Sequence, residues 1–214
     1  MQLIFKGDEK LRKDYLDLTL SFLGQESKGN ESETAEDFLR SLSFLYPSLK
    51  VETKLLHQII KETSLHFEIP YHHIKVIGSA HMGFSFIDKN KNDKVKYYDQ
   101  KSDIDIAIIN ADLFISTHKK TFIATEAFTN NVSFKTPQSS KYYRENVPHG
   151  FIRPDSIACI EEREKWLNFF HNLSKDSNII ISGALYLDET FFIARLKKSL
   201  TKFTRIEEVQ NGIK

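Results

Sequence analysis
Apolar residues between Asp8 and Phe22 recur as Leu11, Tyr15, Leu18 and Phe22, which is the i, i+4, i+7, i+11 stripe of an amphipathic helix. Gly24 is expected to end that helix, and the polar, glycine-bearing run Gln25 to Glu31 reads as a loop. A second stripe, Phe38, Leu42 and Leu45, stops ahead of Pro47. A third helix is predicted from about Val51 to His66, where Leu55 with Ile59 and Leu56 with Ile60 make a broad apolar face, and Pro70 closes the segment. Past Pro70 the spacing changes to short β-branched runs, and Ile74 to Ile77, Ile104 to Ile109 and Ile179 to Leu187 are the predicted strands. Between the first two, the runs Phe84 to Ile87 and Val95 to Tyr98 flank the polar segment Asp88 to Lys94, the pattern of a β-hairpin with an exposed tip. From Ala111 to Pro154 helical and turn signals mix, and no element is assigned. Beyond it, Trp166, Phe169, Phe170 and Leu173 form one helical stripe and Phe192, Leu196, Leu200 and Phe203 another. No internal repeat or low-complexity tract interrupts the chain.

Composition narrows this picture. A chain of 214 residues suits one well-buried domain with a helical annex, here parsed as a helical N-terminal part (1–70), a sheet-bearing middle (71–190) and a C-terminal helix (191–214). Hydrophobic residues at 40% and charged residues at 28%, with few Gly and Pro, are the make-up of a globular protein. A formal net charge of +1 gives no strong DNA-binding signal, although it still permits a local basic face. The single cysteine, Cys159, excludes an internal disulfide framework and reads as a small buried apolar residue. The segment Met1 to Lys13 is charged and lacks a long apolar core, and no run approaches the roughly 18 to 20 apolar residues of a membrane span. A soluble, cytoplasmic protein with no membrane partner is expected.

The candidate chemistry lies in two pieces read together: Val76-Ile77-Gly78-Ser79 at the end of one predicted strand, and Ser102-Asp103-Ile104-Asp105-Ile106 at the start of another. Residues i and i+2 of a strand project from one face, so Asp103 and Asp105 present two carboxylates side by side while Ile104 and Ile106 point the other way. Paired carboxylates repel each other, and hard oxygen ligands with spare coordination positions are what Mg²⁺ selects when it also carries phosphates. A glycine at a strand end lets the backbone approach a phosphate closely, and the neighbouring hydroxyl and N–H groups can donate to its oxygens.

A Gly-Ser at a strand end followed by an Asp-x-Asp strand resembles the nucleotidyltransferase superfamily, the group that includes DNA polymerase β, poly(A) polymerases, oligoadenylate and cyclic-dinucleotide synthases, and small bacterial transferases of toxin–antitoxin pairs. The resemblance is strong over roughly Ile74 to Ile109. It implies an α+β fold: a polymerase β-like palm with a mixed sheet, flanked by N-terminal and C-terminal helices. It also implies that Gly78 and Ser79 bind the phosphates of an incoming nucleotide and that Asp103 and Asp105 hold Mg²⁺, or Mn²⁺ in its place. The implied reaction moves a nucleoside monophosphate from an NTP, with ATP favoured, to a protein, RNA or nucleotide acceptor. Two departures stand out. Asp103 follows Ser79 by 24 positions, longer than the family's usual spacing, and the excess is assigned to the hairpin, where an insertion is cheap because closure entropy grows slowly with length. The family also has a third carboxylate on a later strand, whereas Ile179 to Leu187 contains none. Asp188, just past that run, is either a displaced ligand or the N-cap of the final helix. Without a third carboxylate, a catalytically degenerate regulatory or interaction module, for example in a phage-defence or toxin–antitoxin system, is the competing reading.

Other chemistry-bearing residues add less. His81 and Met82 directly follow the Gly-Ser pair and either pack or touch a base or phosphate. His72, His73, His81 and His149 match no compact zinc spacing. Lys198, Lys202 and Arg205 give the last helix a basic side of the kind that amphipathic surface helices carry. Tyr142, Tyr143, Arg144, Phe151 and Arg153 form an aromatic and basic group able to line a pocket.

Overall fold
A computed structural model describes residues 8–27, 34–86, 94–99 and 101–212. The fold is mixed α+β, rich in helix, with a small mixed sheet. In chain order the elements are α1 (Asp8–Ser27), α2 (Ala35–Arg40), a π-helical turn (Ser41–Leu45), α3 (Thr53–Phe67), β1 (Ile74–Ile77), α4 (Gly78–Met82), β2 (Phe84–Ser85), β3 (Lys96–Tyr97) and β4 (Ile104–Ile109). They continue with α5 (Ala111–Ala124), α6 (Pro137–Asn146), β5 (Phe151–Ile152), α7 (Ile160–Ser177), β6 (Ile181–Tyr186), α8 (Glu189–Phe203) and α9 (Glu207–Gly212). Four strands form one sheet in the order β1-β4-β6-β5, and β2 pairs with β3 in a separate ribbon. β5 runs antiparallel to β6, with Phe151 opposite Tyr186 and Ile152 opposite Leu185. β4 and β6 run parallel, because Ser182 meets Asp105 near their starts and Asn110 N–H meets the Tyr186 carbonyl past their ends. The three predicted strands are therefore present, the last trimmed from Ile179–Leu187 to Ile181–Tyr186. No helix among the described residues is long and apolar enough to cross a membrane.

The chain divides into two compact units, one of Met1–Thr53, Val76–Ile104 and Ile193–Lys214, the other of Lys54–Lys75 and Asp105–Phe192. In the first, α1 buries Tyr15, Thr19, Phe22 and Leu23, and the Phe22 ring stacks on Phe38 with centroids 4.5 Å apart. Contrary to expectation, Gly24 lies inside α1, which runs on to Ser27; an interior glycine costs a helix only about 1 kcal/mol. Residues 28–31 of the expected loop lie outside the described residues. Thr34 caps α2 by accepting from the Asp37 N–H at 3.2 Å. The π turn that follows changes the angular step, so Leu42 is buried while Leu45, the third member of the expected stripe, is 79% exposed. β2 and β3 form the expected antiparallel hairpin, with Phe84 opposite Tyr97; residues 87–93 at its tip lie outside the described residues. Phe203 of α8 packs on Phe84 and Phe86 at 5.5 and 5.3 Å between centroids.

In the second unit the core is aromatic. Trp166 of α7 is fully buried and lies 4.2 Å from Phe67 of α3, with Phe170 and Leu173 one and two turns further along. Ser174 ties α7 to the head of β6: its hydroxyl accepts from Ile181 N–H at 2.8 Å and lies 3.1 Å from the Ile181 carbonyl. Gly183 in β6 is a close-approach glycine, since a Cβ there would stand 2.1 Å from Phe170 Cζ. The unassigned stretch 111–154 contains two helices and a strand. Asn110 caps α5, accepting from Leu113 N–H at 2.8 Å, and Thr136 caps α6, with Pro137 at its first position. Between them Glu126, Ala127 and Phe128 take three successive left-handed conformations, at φ 50, 60 and 64°.

Candidate functional site
β1 ends in a change of backbone direction that only glycine makes without strain. Gly78 has φ 66°, a conformation that costs other L-residues about 1–2 kcal/mol, and it opens the single turn α4. That turn closes at Gly83, itself at φ 82°, whose N–H donates to the Ser79 carbonyl at 2.8 Å. Neighbouring backbone braces it, with Leu49 N–H on the His81 carbonyl at 2.9 Å and Lys50 N–H on the Ala80 carbonyl at 3.1 Å. Ser79 stays half-buried while Ala80, His81 and Met82 turn inward. Gly78 and His81 also border an apolar cavity, with Leu42 and Phe86, but it measures only about 10 Å³ and has room for no nucleotide. His81 is a packing residue. Its ring nitrogens meet the Leu42 carbonyl at 2.7 Å and the Ser48 hydroxyl at 3.0 Å, and since a carbonyl only accepts, Nε2 is the donor to Leu42.

The carboxylate pair follows a tight turn. Asp99 Oδ1 accepts from Lys101 N–H at 2.9 Å and Ser102 Oγ at 3.0 Å, Ser102 Oγ in turn accepts from Asp99 N–H at 3.0 Å, and Ser102 N–H donates to the Asp99 carbonyl at 3.1 Å. The Ser102 hydroxyl and then the Lys101 N–H hold the Asp99 carboxyl below the usual range. Asp103 comes next, half-buried, and among the described residues no Lys or Arg forms an ion pair with it. Its charge is felt by Tyr98, whose phenol is pushed up first by burial and then by the Asp103 and Asp99 carboxylates.

Asp105, in the second unit, is also half-buried, between the buried Ile104 and Ile106 of β4. Its Oδ1 accepts a hydrogen bond from Ser182 Oγ on β6 at 2.7 Å. Sequence reasoning did not single out Ser182. The only signal was its place on the strand expected to carry a third acid, and nothing in the sequence indicated that β4 and β6 would be neighbours in register. Asp188 is the N-cap of α8, accepting from Phe191 N–H at 3.2 Å.

The remaining candidates are held in local structure. His73 Nδ1 accepts from the Asn110 side-chain amide at 2.8 Å, and its ring is kept below the usual imidazole value by burial and then by His72. Among the described residues no group of three or more His, Cys, Asp or Glu stands together to hold a metal. Cys159, expected to be buried, is half-exposed at the N-cap of α7. Tyr143 is a core residue bonded to His118 at 3.1 Å. Arg144 binds the Phe128 carbonyl and Asn131 Oδ1, both at 2.7 Å, and Arg153 lies over the Tyr142 ring while gripping Asp155. An open cleft of about 440 Å³ lies nearby, lined by Asn131, Phe134, Lys135, Thr136 and Ser140 among others, and none of Tyr142, Tyr143 and Arg144 borders it. Lys198, Lys202 and Arg205 are exposed. Comparison with protein-family models, with curated proteins and with solved structures finds no match to this chain.

Proposed function
We propose that the protein is a metal-dependent nucleotidyltransferase that moves a nucleoside monophosphate from an NTP, ATP by preference, to a protein, RNA or nucleotide acceptor. One observation carries the reading. Gly78 makes a left-handed turn directly off β1, leaving Ser79 half-buried, and the strand next to β1 carries Asp105 as its second residue, with Asp103 just ahead of its start. In this reading the fold is the polymerase β-like palm, Gly78 lets the chain approach a phosphate, and the Ser79 hydroxyl donates to its oxygens. In the same reading Asp103 and Asp105, the latter accepting a hydrogen bond from the Ser182 hydroxyl, would hold a Mg²⁺ or Mn²⁺ ion that keeps open positions for water and phosphate. When bound, that ion would neutralise the charge of the triphosphate and of the departing pyrophosphate.

The test is label transfer from α-labelled NTPs in the presence of Mg²⁺ or Mn²⁺, with the protein itself, RNA and free nucleotides as acceptors. Transfer should vanish in Asp103→Ala and Asp105→Ala while both variants keep the wild-type unfolding midpoint. If no NTP gives either transfer or a Mg²⁺-dependent thermal shift, the reading is wrong. A second reading, a palm retained as a regulatory or interaction module, draws on Ser182: the residue on β6 that meets Asp105 is neutral. That version predicts Mg²⁺-dependent NTP binding without transfer to any acceptor.

A further inference from the structure
We propose that Lys198, Lys202 and Arg205 form a docking ridge on the last turns of α8 for the phosphate backbone of a nucleic acid. The inference stands whether or not the protein transfers nucleotides. It starts from the sequence of the helix: from Phe191 to Ile206 the chain holds five cations, Arg195, Lys197, Lys198, Lys202 and Arg205, and no acid. A surface helix that uses charge only for solubility mixes the two signs, because Glu–Lys pairs one turn apart also support it. The structure then sorts the cations. Lys197 pairs with Glu36. Lys198, Lys202 and Arg205 follow one another at intervals of about one turn and are all exposed, and among the described residues none of the three forms an ion pair. Past the ridge, Glu208 of α9 is engaged elsewhere, its Oε2 accepting from Val95 N–H at 2.7 Å. At about 1.5 Å of rise per residue the ridge runs for about 10 Å, the length of roughly three nucleotides at about 3.4 Å each in a stacked strand. Other anionic partners fit less well. α8 buries Phe192, Ile193, Leu200 and Phe203, each at 3% exposure or less, and so presents no apolar face to sink into a membrane. A protein partner calls for apolar or aromatic side chains at the centre of its interface, and no large hydrophobic residue of α8 is exposed.

The probes are a fluorescein-labelled single-stranded RNA of mixed sequence, the same sequence as single-stranded DNA, and its DNA duplex, each followed by fluorescence anisotropy on the intact protein. Polyglutamate and vesicles of phosphatidylcholine with phosphatidylserine serve as competitors. With three phosphates neutralised, log affinity for a single strand should fall against log salt with a slope of about −2, which is about 20-fold between 50 and 200 mM. Lys198→Gln, Lys202→Gln and Arg205→Gln should each cut that slope by about 0.7, and the triple variant should lose on the order of 100-fold at about 0.1 M salt. Lys197→Gln removes the same charge from a paired position and should stay close to wild type. Lys198→Arg combined with Lys202→Arg should keep wild-type binding. All of these positions are exposed, so unfolding midpoints should match wild type, and the single variants carry the test if the triple one unfolds. Binding of any of the three nucleic acids with this slope and this pattern of variants supports the inference, and the tightest of them names the strand type. The inference is overturned if none of them binds at 50 mM salt, if removing the three cations leaves binding unchanged, or if polyglutamate or the vesicles displace nucleic acid as well as unlabelled nucleic acid does. Backbone binding without transfer from any NTP leaves the inference standing and counts against the proposed function alone.

Discussion

Glu162 offers a sharp test of the second unit's energetics. Its side chain is 4% exposed, its Oε1 accepts from the Trp166 indole at 3.1 Å, and its Oε2 pairs with Lys120. Lys120→Met removes the cation and leaves the buried carboxylate with the indole N–H as its remaining side-chain donor among the described residues. Breaking a fully buried ion pair costs about 3–5 kcal/mol. Lys120 is 49% exposed, so solvent already screens the pair, and a loss of about 2 kcal/mol is expected. With a urea dependence of about 2 kcal/mol per molar, the midpoint falls by about 1 M. The assay reads out the right unit without a label: Trp166 is the only tryptophan, it is fully buried beside the perturbed pair, and its emission shifts when this unit opens. Lys120→Met combined with Glu162→Gln should regain about half of the loss, because a neutral amide oxygen can still accept from the indole without needing a counter-charge. A single variant within about 0.5 kcal/mol of wild type, or a double variant no better than the single, would refute the reasoning.

Three further outcomes are expected. His66, His73 and His118 are all held below the usual imidazole value, chiefly by burial. Their contribution is therefore complete above about pH 6.5 and is lost as pH falls below it, when the unfolded chain binds protons that the folded one lacks. Urea midpoints taken from pH 8 to 5.5 should decline below about 6.5, with a slope of at most about 1.4 kcal/mol per pH unit for each proton taken up. Gly183→Ala should cost about 1–3 kcal/mol in the same fluorescence assay: the Phe170 ring, 2.1 Å from the added Cβ, is packed against Phe67, Trp166 and Phe169 and has nowhere to swing. Gly78→Ala should lower stability by about 1–2 kcal/mol through its left-handed φ and also remove any NTP-dependent thermal shift, two effects that differential scanning fluorimetry with and without nucleotide separates.

What could be read from the sequence was what obeyed a simple period. Strands β1 and β4 emerge with the expected ends because each is a short β-branched run bounded by turn residues, and α7 because Trp166, Phe170 and Leu173 are both apolar and buried. α5 defeats the same logic. Its buried positions include Thr117 and Thr121, while Ile115, Phe122 and Ile123 are exposed, so its apolar residues trace the wrong face. β5 has two residues, Phe151 and Ile152, both buried; a period needs more than two positions to show itself. Leu45 fits the α2 stripe by spacing and misses it in space, since the π turn changes the rotation per residue. At the candidate site, local signals singled out Gly78, which takes a positive φ at the end of β1, and the half-buried Asp103 and Asp105. The Asp105–Ser182 hydrogen bond joins residues 77 positions apart, and no local pattern encodes a partner at that distance.

The knot of hydrogen bonds from Asp99 to Ser102 has a consequence for how this chain can change over time. It ends one residue before Asp103 and so sets the phase in which the alternating residues of β4 enter the sheet. Adding or deleting one amino acid between Ser102 and Ile104 would invert that alternation, sending carboxylates inward and isoleucines out. Length variation among descendants should therefore collect outside this stretch, which can drift in composition but not in count.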